Sequence, residues 1–156
     1  METVYVETTV LSYVVSRPSR DVVIAGHQQV TVEWWNDHRL RFECFVSQAV
    51  LDEIAAGDVN GAQKRTSLAG QLGILEITKE AEDLARQILA SGVIPPKAAR
   101  DAAHIAVATD SGMDYLLTWN CTHIANAQIL RKIEKICEAA GYLMPVICTP
   151  EELMAD

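Results

Sequence analysis

Three acidic residues, far apart in the chain, each lie where an apolar run gives way to a helix-like segment. Glu7 directly follows the run Val4–Val6. Glu53 lies in a short predicted helix after a second apolar run, and Asp101 lies near the start of a later one. In an open α/β sheet such positions can converge at the carboxyl ends of the strands. Converging carboxylates repel one another and are tolerated mainly around a divalent cation, so this spacing indicates a metal-dependent hydrolase.

The first two acids also have structural interpretations. Glu7 can be a helix-start acid, favoured there by the helix dipole. Glu53 stands beside Asp52, and either of the two can be the inward-facing residue. Spacing alone leaves these alternatives open.

Asp101 and His104 are three residues apart and therefore share one face of an apolar predicted helix. A carboxylate in a mostly buried helix needs a partner. Asp101 is therefore either part of a functional site or an acid near the helix start that caps the helix or forms a salt bridge, for example with Arg100 or Lys97. His104 by itself is expected to be a hydrogen-bonding histidine rather than a metal ligand.

A polar segment, 118–126, follows the fourth predicted strand. Its threonine, asparagine and histidine side chains can bind metal, water or phosphate, or can cap the next helix. Asp114 precedes the same strand and is expected at the opposite end, as a loop or cap residue.

Composition narrows the class of protein without deciding its function. The chain has 156 residues, which fits one domain spanning 1–156. A net charge of −8 argues against a broad basic face for nucleic acid. It does not exclude a nuclease, because a bound metal can recruit phosphate into an acidic pocket. It also suits a basic protein partner.

The chain shows no membrane span or signal segment, so we expect a cytoplasmic protein. Four cysteines lack the paired spacing of a zinc or redox site, and we expect them to be small buried hydrophobes: Cys44, Cys121, Cys137 and Cys148.

Hydrophobic periodicity predicts strands alternating with helices. The predicted strands are Val4–Val6, Phe42–Ser47, Ile74–Ile77, Tyr115–Thr118 and Met144–Cys148. The predicted helices are Leu11–Val15, Asp21 to about Arg39, Ala49–Ala56, Ala62–Leu72, Thr78 to about Gly92, Ala98–Ser111, Asn126–Ala140 and a terminal turn at Pro150–Leu153. Such alternation predicts a parallel sheet with helices on both faces.

The order of these elements resembles the PIN-domain family, and within it the VapC-like ribonuclease toxins of type II toxin–antitoxin pairs. The segments that carry the resemblance are 5–13 (YVETTVLSY), 101–106 (DAAHIA) and 114–120 (DYLLTWN). The resemblance implies a three-layer α/β/α sandwich with a central parallel sheet. It also implies an acidic pocket that holds Mg²⁺ or Mn²⁺ and cleaves RNA.

Carried over residue by residue, the resemblance implies roles for six side chains. The catalytic set is Glu7, Glu53, Asp101 and Asn120; the metal ligands are Glu7, Asp101 and Asn120; the phosphate-binding hydroxyls are Ser12 and Thr118. Glu53 is expected as a ligand or as the base that orients the water. The family also implies a homodimer and a small antitoxin whose tail can place an arginine in the pocket.

The sequence departs from the family pattern at three places. Glu7 stands where aspartate is usual, Asn120 stands where a fourth acid is common, and His123 stands where a further acid can occur. Fewer negative charges weaken a site for a hard cation. This leaves two alternatives to the ribonuclease: a PIN-like pseudoenzyme that binds RNA or protein without cleavage, and an α/β protein whose acids are structural caps. The pair Trp34-Trp35 is expected either at an interface or in the core.

Overall fold

The computed structural model describes residues 1–156 and contains one five-stranded sheet in which every neighbouring pair is parallel. The strands are β1 Thr3–Val6, β2 Glu43–Ser47, β3 Gly73–Leu75, β4 Tyr115–Leu117 and β5 Val146–Cys148. Their order across the sheet is β3-β2-β1-β4-β5. β1 is therefore central, and all three of its apolar residues, 4 to 6, are fully buried, as expected for a parallel strand covered on both faces.

Seven α-helices cover the sheet. They are α1 Thr8–Val15, α2 Val22–Glu33, α3 Gln48–Ile54, α4 Val59–Ala69, α5 Lys79–Ala90, α6 Ala99–Asp110 and α7 Ala127–Ala139. Helix α1 contacts α2, α3 and α4, and α6 packs on α5, which also contacts α7. The predicted three-layer α/β/α sandwich is confirmed. No helix is long and apolar enough to cross a lipid bilayer.

The segment after α2 differs from the prediction of one helix to about Arg39. The α-helix ends at Glu33 and continues as a π-helical turn, Trp34–His38, followed by a 3₁₀ turn, Arg39–Arg41. Trp34 and Trp35 are both buried in the core. Successive residues of an α-helix point about 100° apart, so a wider turn helps two consecutive indole rings face the same core. The core interpretation of this pair is therefore the right one.

Smaller differences have local causes. β5 begins at Val146 rather than Met144 because Pro145 lacks the N–H that a strand ladder requires. Cys137 and Cys148 are buried and Cys44 is half-buried, as expected for small hydrophobes. For Cys121 the prediction is wrong: this residue is exposed, because it lies in the polar turn after β4.

Candidate functional site

The candidate site lies where the sheet changes its direction of winding. β1 and β4 are neighbours in the sheet although they are far apart in the chain. Glu7 follows β1, Thr118 follows β4, and the backbone N–H of Glu7 donates to Leu117 O at 3.0 Å. In open α/β sheets such a switch point opens a crevice at the carboxyl ends of the strands, where ligands bind. Glu7 and Thr118 therefore lie together at the carboxyl ends of neighbouring strands, as predicted.

Glu7 is a nearly buried carboxylate, with 3% of its surface exposed. Its Oε1 accepts hydrogen bonds from the hydroxyls of Thr118 at 2.6 Å and Thr9 at 2.5 Å. Its Oε2 accepts one bond, from the backbone N–H of Thr9 at 3.2 Å. Glu7 thus caps the N-terminus of α1, as its structural interpretation predicts. It also remains at the crevice, so the two interpretations coexist.

Burial raises the pKa of Glu7, and the nearby His104 and the hydrogen bonds from Thr118 and Thr9 oppose that rise only in part. The ion pairs of the protein are Arg41–Asp156 and Arg86–Asp83, and His104–Glu53 and His123–Asp101 join them only when the histidine is protonated. No lysine or arginine therefore forms an ion pair with Glu7 or Glu53, and of these cations only the more distant Arg100 acts on Glu53 through its charge. A buried carboxylate without such a partner favours a proton or another cation.

Glu53 is the inward-facing member of its acidic pair. Its Oε1 accepts hydrogen bonds from the Thr8 hydroxyl at 2.9 Å and from His104 Nε2, whereas its Oε2 accepts none. Asp52 is exposed and accepts a bond from Gln48 instead. Burial acts to raise the pKa of Glu53, but the hydrogen bond and charge of His104, with Thr8 and Arg100, outweigh it and lower the pKa.

His104 is fully buried and is hydrogen-bonded through both ring nitrogens. Nε2 donates to Glu53, and Nδ1 lies 2.7 Å from the Tyr5 hydroxyl. The Tyr5 hydroxyl lies 2.7 Å from the Ser47 hydroxyl. Burial raises the pKa of Tyr5, so its phenol stays protonated at neutral pH. His104 is thus the hydrogen-bonding histidine that the sequence predicts.

Three residues are close enough to hold one metal ion: Glu7, Glu53 and His104 offer ligand atoms within 4.8 Å of one another. In this group, Glu7 Oε2 accepts only one hydrogen bond and Glu53 Oε2 accepts none. Both oxygens therefore retain lone pairs for a cation. Carboxylate oxygens suit Mg²⁺ and Mn²⁺. The residues present therefore fit the predicted cation. The fitting carboxylates are Glu7 and Glu53, whereas the predicted ligands were Glu7, Asp101 and Asn120.

Asp101, predicted as a ligand, lies outside this group. It is half-buried, and its Oδ2 accepts a hydrogen bond from His123 Nδ1 at 3.0 Å. It forms no ion pair with Arg100 or Lys97, so the salt bridge considered from the sequence is absent. The structure instead joins Asp101 to His123.

Asn120, the other predicted ligand outside the group, uses its carbonyl oxygen within the backbone. Oδ1 accepts bonds from the backbone N–H groups of Thr122 at 3.2 Å and His123 at 3.1 Å. Such a turn engages both lone pairs of the oxygen. Asn120 therefore belongs to a turn, and the residue of this segment that caps the next helix, α7, is Asn126.

The two predicted phosphate-binding hydroxyls differ in surroundings. Thr118 is buried, donates to Glu7 and accepts a bond from the backbone N–H of Asn120 at 2.9 Å. It is therefore occupied in holding Glu7. Ser12 is partly exposed on α1, and its hydroxyl takes part in no hydrogen bond within the protein. Asp114 lies at the other end of β4 and accepts the backbone N–H of Thr3 at 2.8 Å, as predicted.

Several residues of the site were not predicted from the sequence. Tyr5 and Ser47 read as ordinary strand residues, and Thr8 and Thr9 read as helix-capping residues. The one available signal for Tyr5 is a polar hydroxyl within a strand that must be buried on both faces. A hydroxyl in that position needs a buried partner.

No family model matches the chain, and no curated protein sequence matches it. The resemblance to the PIN-domain family stays a prediction that rests on the sequence motifs.

The raised pKa of Glu7 predicts a pH-dependent stability difference for Glu7→Gln in metal-free buffer. The folded protein binds the Glu7 proton more tightly than the unfolded chain, whose carboxyl has the ordinary value of 4.5. The contribution of Glu7 to stability is thus present below that value and is lost as pH rises through the folded-state pKa. We expect the free energy of unfolding of Glu7→Gln, relative to wild type, to increase over this window. Urea unfolding with EDTA from pH 4 to 8 measures it.

The control for this comparison is Glu43→Gln, which makes the same chemical change at an exposed residue of β2. Its difference from wild type should not follow the same curve. A flat difference for Glu7→Gln across the whole range would contradict the buried, proton-retaining carboxylate.

Proposed function

We propose that this protein is a divalent-metal-dependent endoribonuclease that hydrolyses phosphodiester bonds in RNA. One observation carries the proposal: Glu7 is a nearly buried carboxylate at the switch point of the sheet, close to Glu53, with no lysine or arginine as counter-ion. A cation that two carboxylates share gives this arrangement a function. The choice of RNA as substrate rests on the resemblance.

The proposed mechanism assigns a task to each side chain. Glu7 and Glu53 would hold Mg²⁺ or Mn²⁺ through the oxygens that keep lone pairs. When bound, the ion supplies positive charge for the phosphate oxygens and lowers the pKa of a water. Thr118 and Thr9 fix the Glu7 carboxylate. The lowered pKa of Glu53 keeps it ionised, which suits a ligand of a hard cation.

Two further features support a metal-assisted route for an anionic substrate. The net charge of −8 offers no general attraction for phosphate, so a local cation is the simplest means of binding it. Ser12, whose hydroxyl is unengaged, is a candidate donor to the phosphate. Ser12 lies on α1, five residues after Glu7, which caps the N-terminus of that helix.

The experiment that tests this function is cleavage of a labelled single-stranded RNA pool with Mn²⁺, Mg²⁺ or EDTA. We expect wild type to cleave only with metal. We expect Asp101→Asn to abolish cleavage, because the substitution removes a negative charge from α6, one turn before His104, and weakens the hydrogen bond to His123. Asp52→Asn, an exposed acid beside Glu53, is the matched control and should cleave like wild type.

Each outcome of this assay is informative. Cleavage retained in Asp101→Asn would remove Asp101 from the site and leave the Glu7–Glu53 pair. Absence of metal-dependent cleavage by wild type, over a range of RNA sequences, would contradict the ribonuclease proposal.

The second candidate is the PIN-like pseudoenzyme, and two contacts favour it. The carbonyl oxygen of Asn120 is engaged by two backbone N–H groups, and Asp101 is engaged by His123. Both residues are thus partly withdrawn from metal binding. Retained RNA binding without cleavage in Mn²⁺, measured by filter binding, would select this candidate.

The partners and location implied by the resemblance are also proposals: a second copy of the chain, a small antitoxin and the cytoplasm. Val22 and Val23, exposed at the start of α2, are consistent with contact to another protein. Light scattering of the purified chain, alone and co-expressed with a partner encoded beside it, tests both assemblies.

A further inference from the structure

We propose that His104 is a positioning residue, which orients the Glu53 carboxylate for the metal ion and does not itself ligate the ion. This inference rests on the proposed function, because it concerns the metal that Glu7 and Glu53 would share. His104 belongs to the group of possible ligands by distance alone. Its hydrogen bonds indicate that it positions Glu53.

Both nitrogens of the His104 ring are already engaged. Nε2 donates to Glu53 Oε1, and Nδ1 lies at hydrogen-bond distance from the Tyr5 hydroxyl. Direct ligation would require one of these bonds to break inside a region where the ring is fully buried. A buried polar group that loses its partner is strongly unfavourable. Outer-shell donors that fix a ligating carboxylate avoid this cost.

The ring is oriented by an anchored chain of hydrogen bonds. Nε2 bonds to the Glu53 carboxylate and therefore carries a proton, while Nδ1 bonds to the Tyr5 hydroxyl, which bonds in turn to the Ser47 hydroxyl. Tyr5 belongs to β1 and Ser47 ends β2. Ser47 also immediately precedes α3, the helix that carries Glu53. His104 therefore joins α6 to the β2–α3 unit directly at Glu53 and, by way of Tyr5 of β1, at Ser47.

The hydrogen bonds to Glu53 explain how His104 would favour metal binding. Its Oε1 is held by both Thr8 and His104, which leaves Oε2 without a hydrogen bond within the protein. A carboxylate fixed at one oxygen presents the other in one direction. Without His104, only the Thr8 hydroxyl would restrain a side chain that is 23% exposed.

The experiment measures Mn²⁺ affinity, with no RNA present, by calorimetry and electron paramagnetic resonance. We expect His104→Asn to weaken Mn²⁺ binding roughly 10- to 100-fold, as outer-shell changes typically do. His104→Gln should restore much of the affinity, because its longer amide can still donate to Glu53. Tyr5→Phe should weaken binding less than His104→Asn, since the ring loses its anchor but keeps its bond to Glu53.

Tyr115→Phe is the matched control for Tyr5→Phe. It removes the same hydroxyl at the opposite end of the neighbouring strand, where it donates to Glu2 at 2.9 Å. We expect Mn²⁺ affinity to be unchanged. Urea unfolding in EDTA accompanies each variant, so that affinity is compared between folded proteins.

Electron spin-echo envelope modulation of bound Mn²⁺ separates positioning from ligation. A directly coordinated imidazole nitrogen couples to the Mn²⁺ spin, whereas an outer-shell ring does not couple in this way. We expect no coordinated-nitrogen signal in wild type. A signal that disappears in His104→Gln would overturn the proposal, as would equal Mn²⁺ affinity in wild type, His104→Asn and Tyr5→Phe.

Failure of this inference is distinguishable from failure of the proposed function. Wild type that binds Mn²⁺ and cleaves RNA, with His104 variants of unchanged affinity, contradicts only the positioning role. Wild type that binds Mn²⁺ without cleavage contradicts the ribonuclease and leaves the positioning role to be judged on affinity. Wild type that does not bind Mn²⁺ contradicts both.

Discussion

Glu7→Gln is expected to reduce metal-dependent RNA cleavage by more than about 100-fold, beyond the range typical of an outer-shell change. The amide keeps the size of the side chain and an oxygen that can accept from Thr118. It removes the charge, which a hard cation requires of its ligands. Single-turnover cleavage with saturating Mn²⁺ measures the loss, and calorimetry measures Mn²⁺ affinity in the same protein.

Glu43→Gln is the control here too, because Glu43 is exposed at the amino end of β2, away from the crevice. Its cleavage rate and Mn²⁺ affinity should equal those of wild type. Unchanged cleavage in a folded Glu7→Gln protein would show that the reaction does not depend on the buried carboxylate. The assignment of the site to the switch point would then be wrong.

Trp34→Ala is expected to lower the free energy of unfolding by about 3–5 kcal/mol, as large-to-small substitutions of buried aromatic residues do. Trp34 is fully buried and packs against Trp35 and Phe42 with ring centroids 6.5 and 6.3 Å away. Removal of the indole leaves a cavity among these rings. Urea unfolding measures the change.

An exposed residue of the next turn, Leu40, supplies the control as Leu40→Ala, whose effect should be much smaller. The measurement is made at two protein concentrations. A loss of stability that depends on concentration would mean that Trp34 acts through an interface between copies. A concentration-independent loss agrees with its place in the core.

Stability and function are expected to oppose each other at Glu7. Its burial raises its pKa, so its ionised form is unfavourable in the metal-free fold. The same ionised form is what a cation would bind. Neutralisation by Gln should therefore stabilise the metal-free protein at neutral pH while it removes metal binding, a combination that a purely structural acid would not produce.

The alternation of apolar runs and helical segments was sufficient to predict the fold class. Local periodicity and chain order determine which residues end parallel strands, and the carboxyl ends of such strands share one rim. Glu7 and Thr118 could therefore be placed together from the sequence. The ends of the helices were less predictable. The π-helical turn at Trp34 depends on how two bulky rings pack in the core, and a local sequence pattern does not contain that information.

The tertiary structure decided which polar groups pair. His104 reaches Glu53 across 51 residues and Tyr5 across 99, while Asp101, three residues before His104, reaches His123 instead. The sequence placed Asp101 and His104 on one helical face but could not assign their partners. Partner choice depends on strand order, helix packing and side-chain rotamers, which act between distant segments. The sequence thus placed Glu7 and Thr118 at the rim of the sheet, and packing determined which other groups join them and which atoms remain open to a cation.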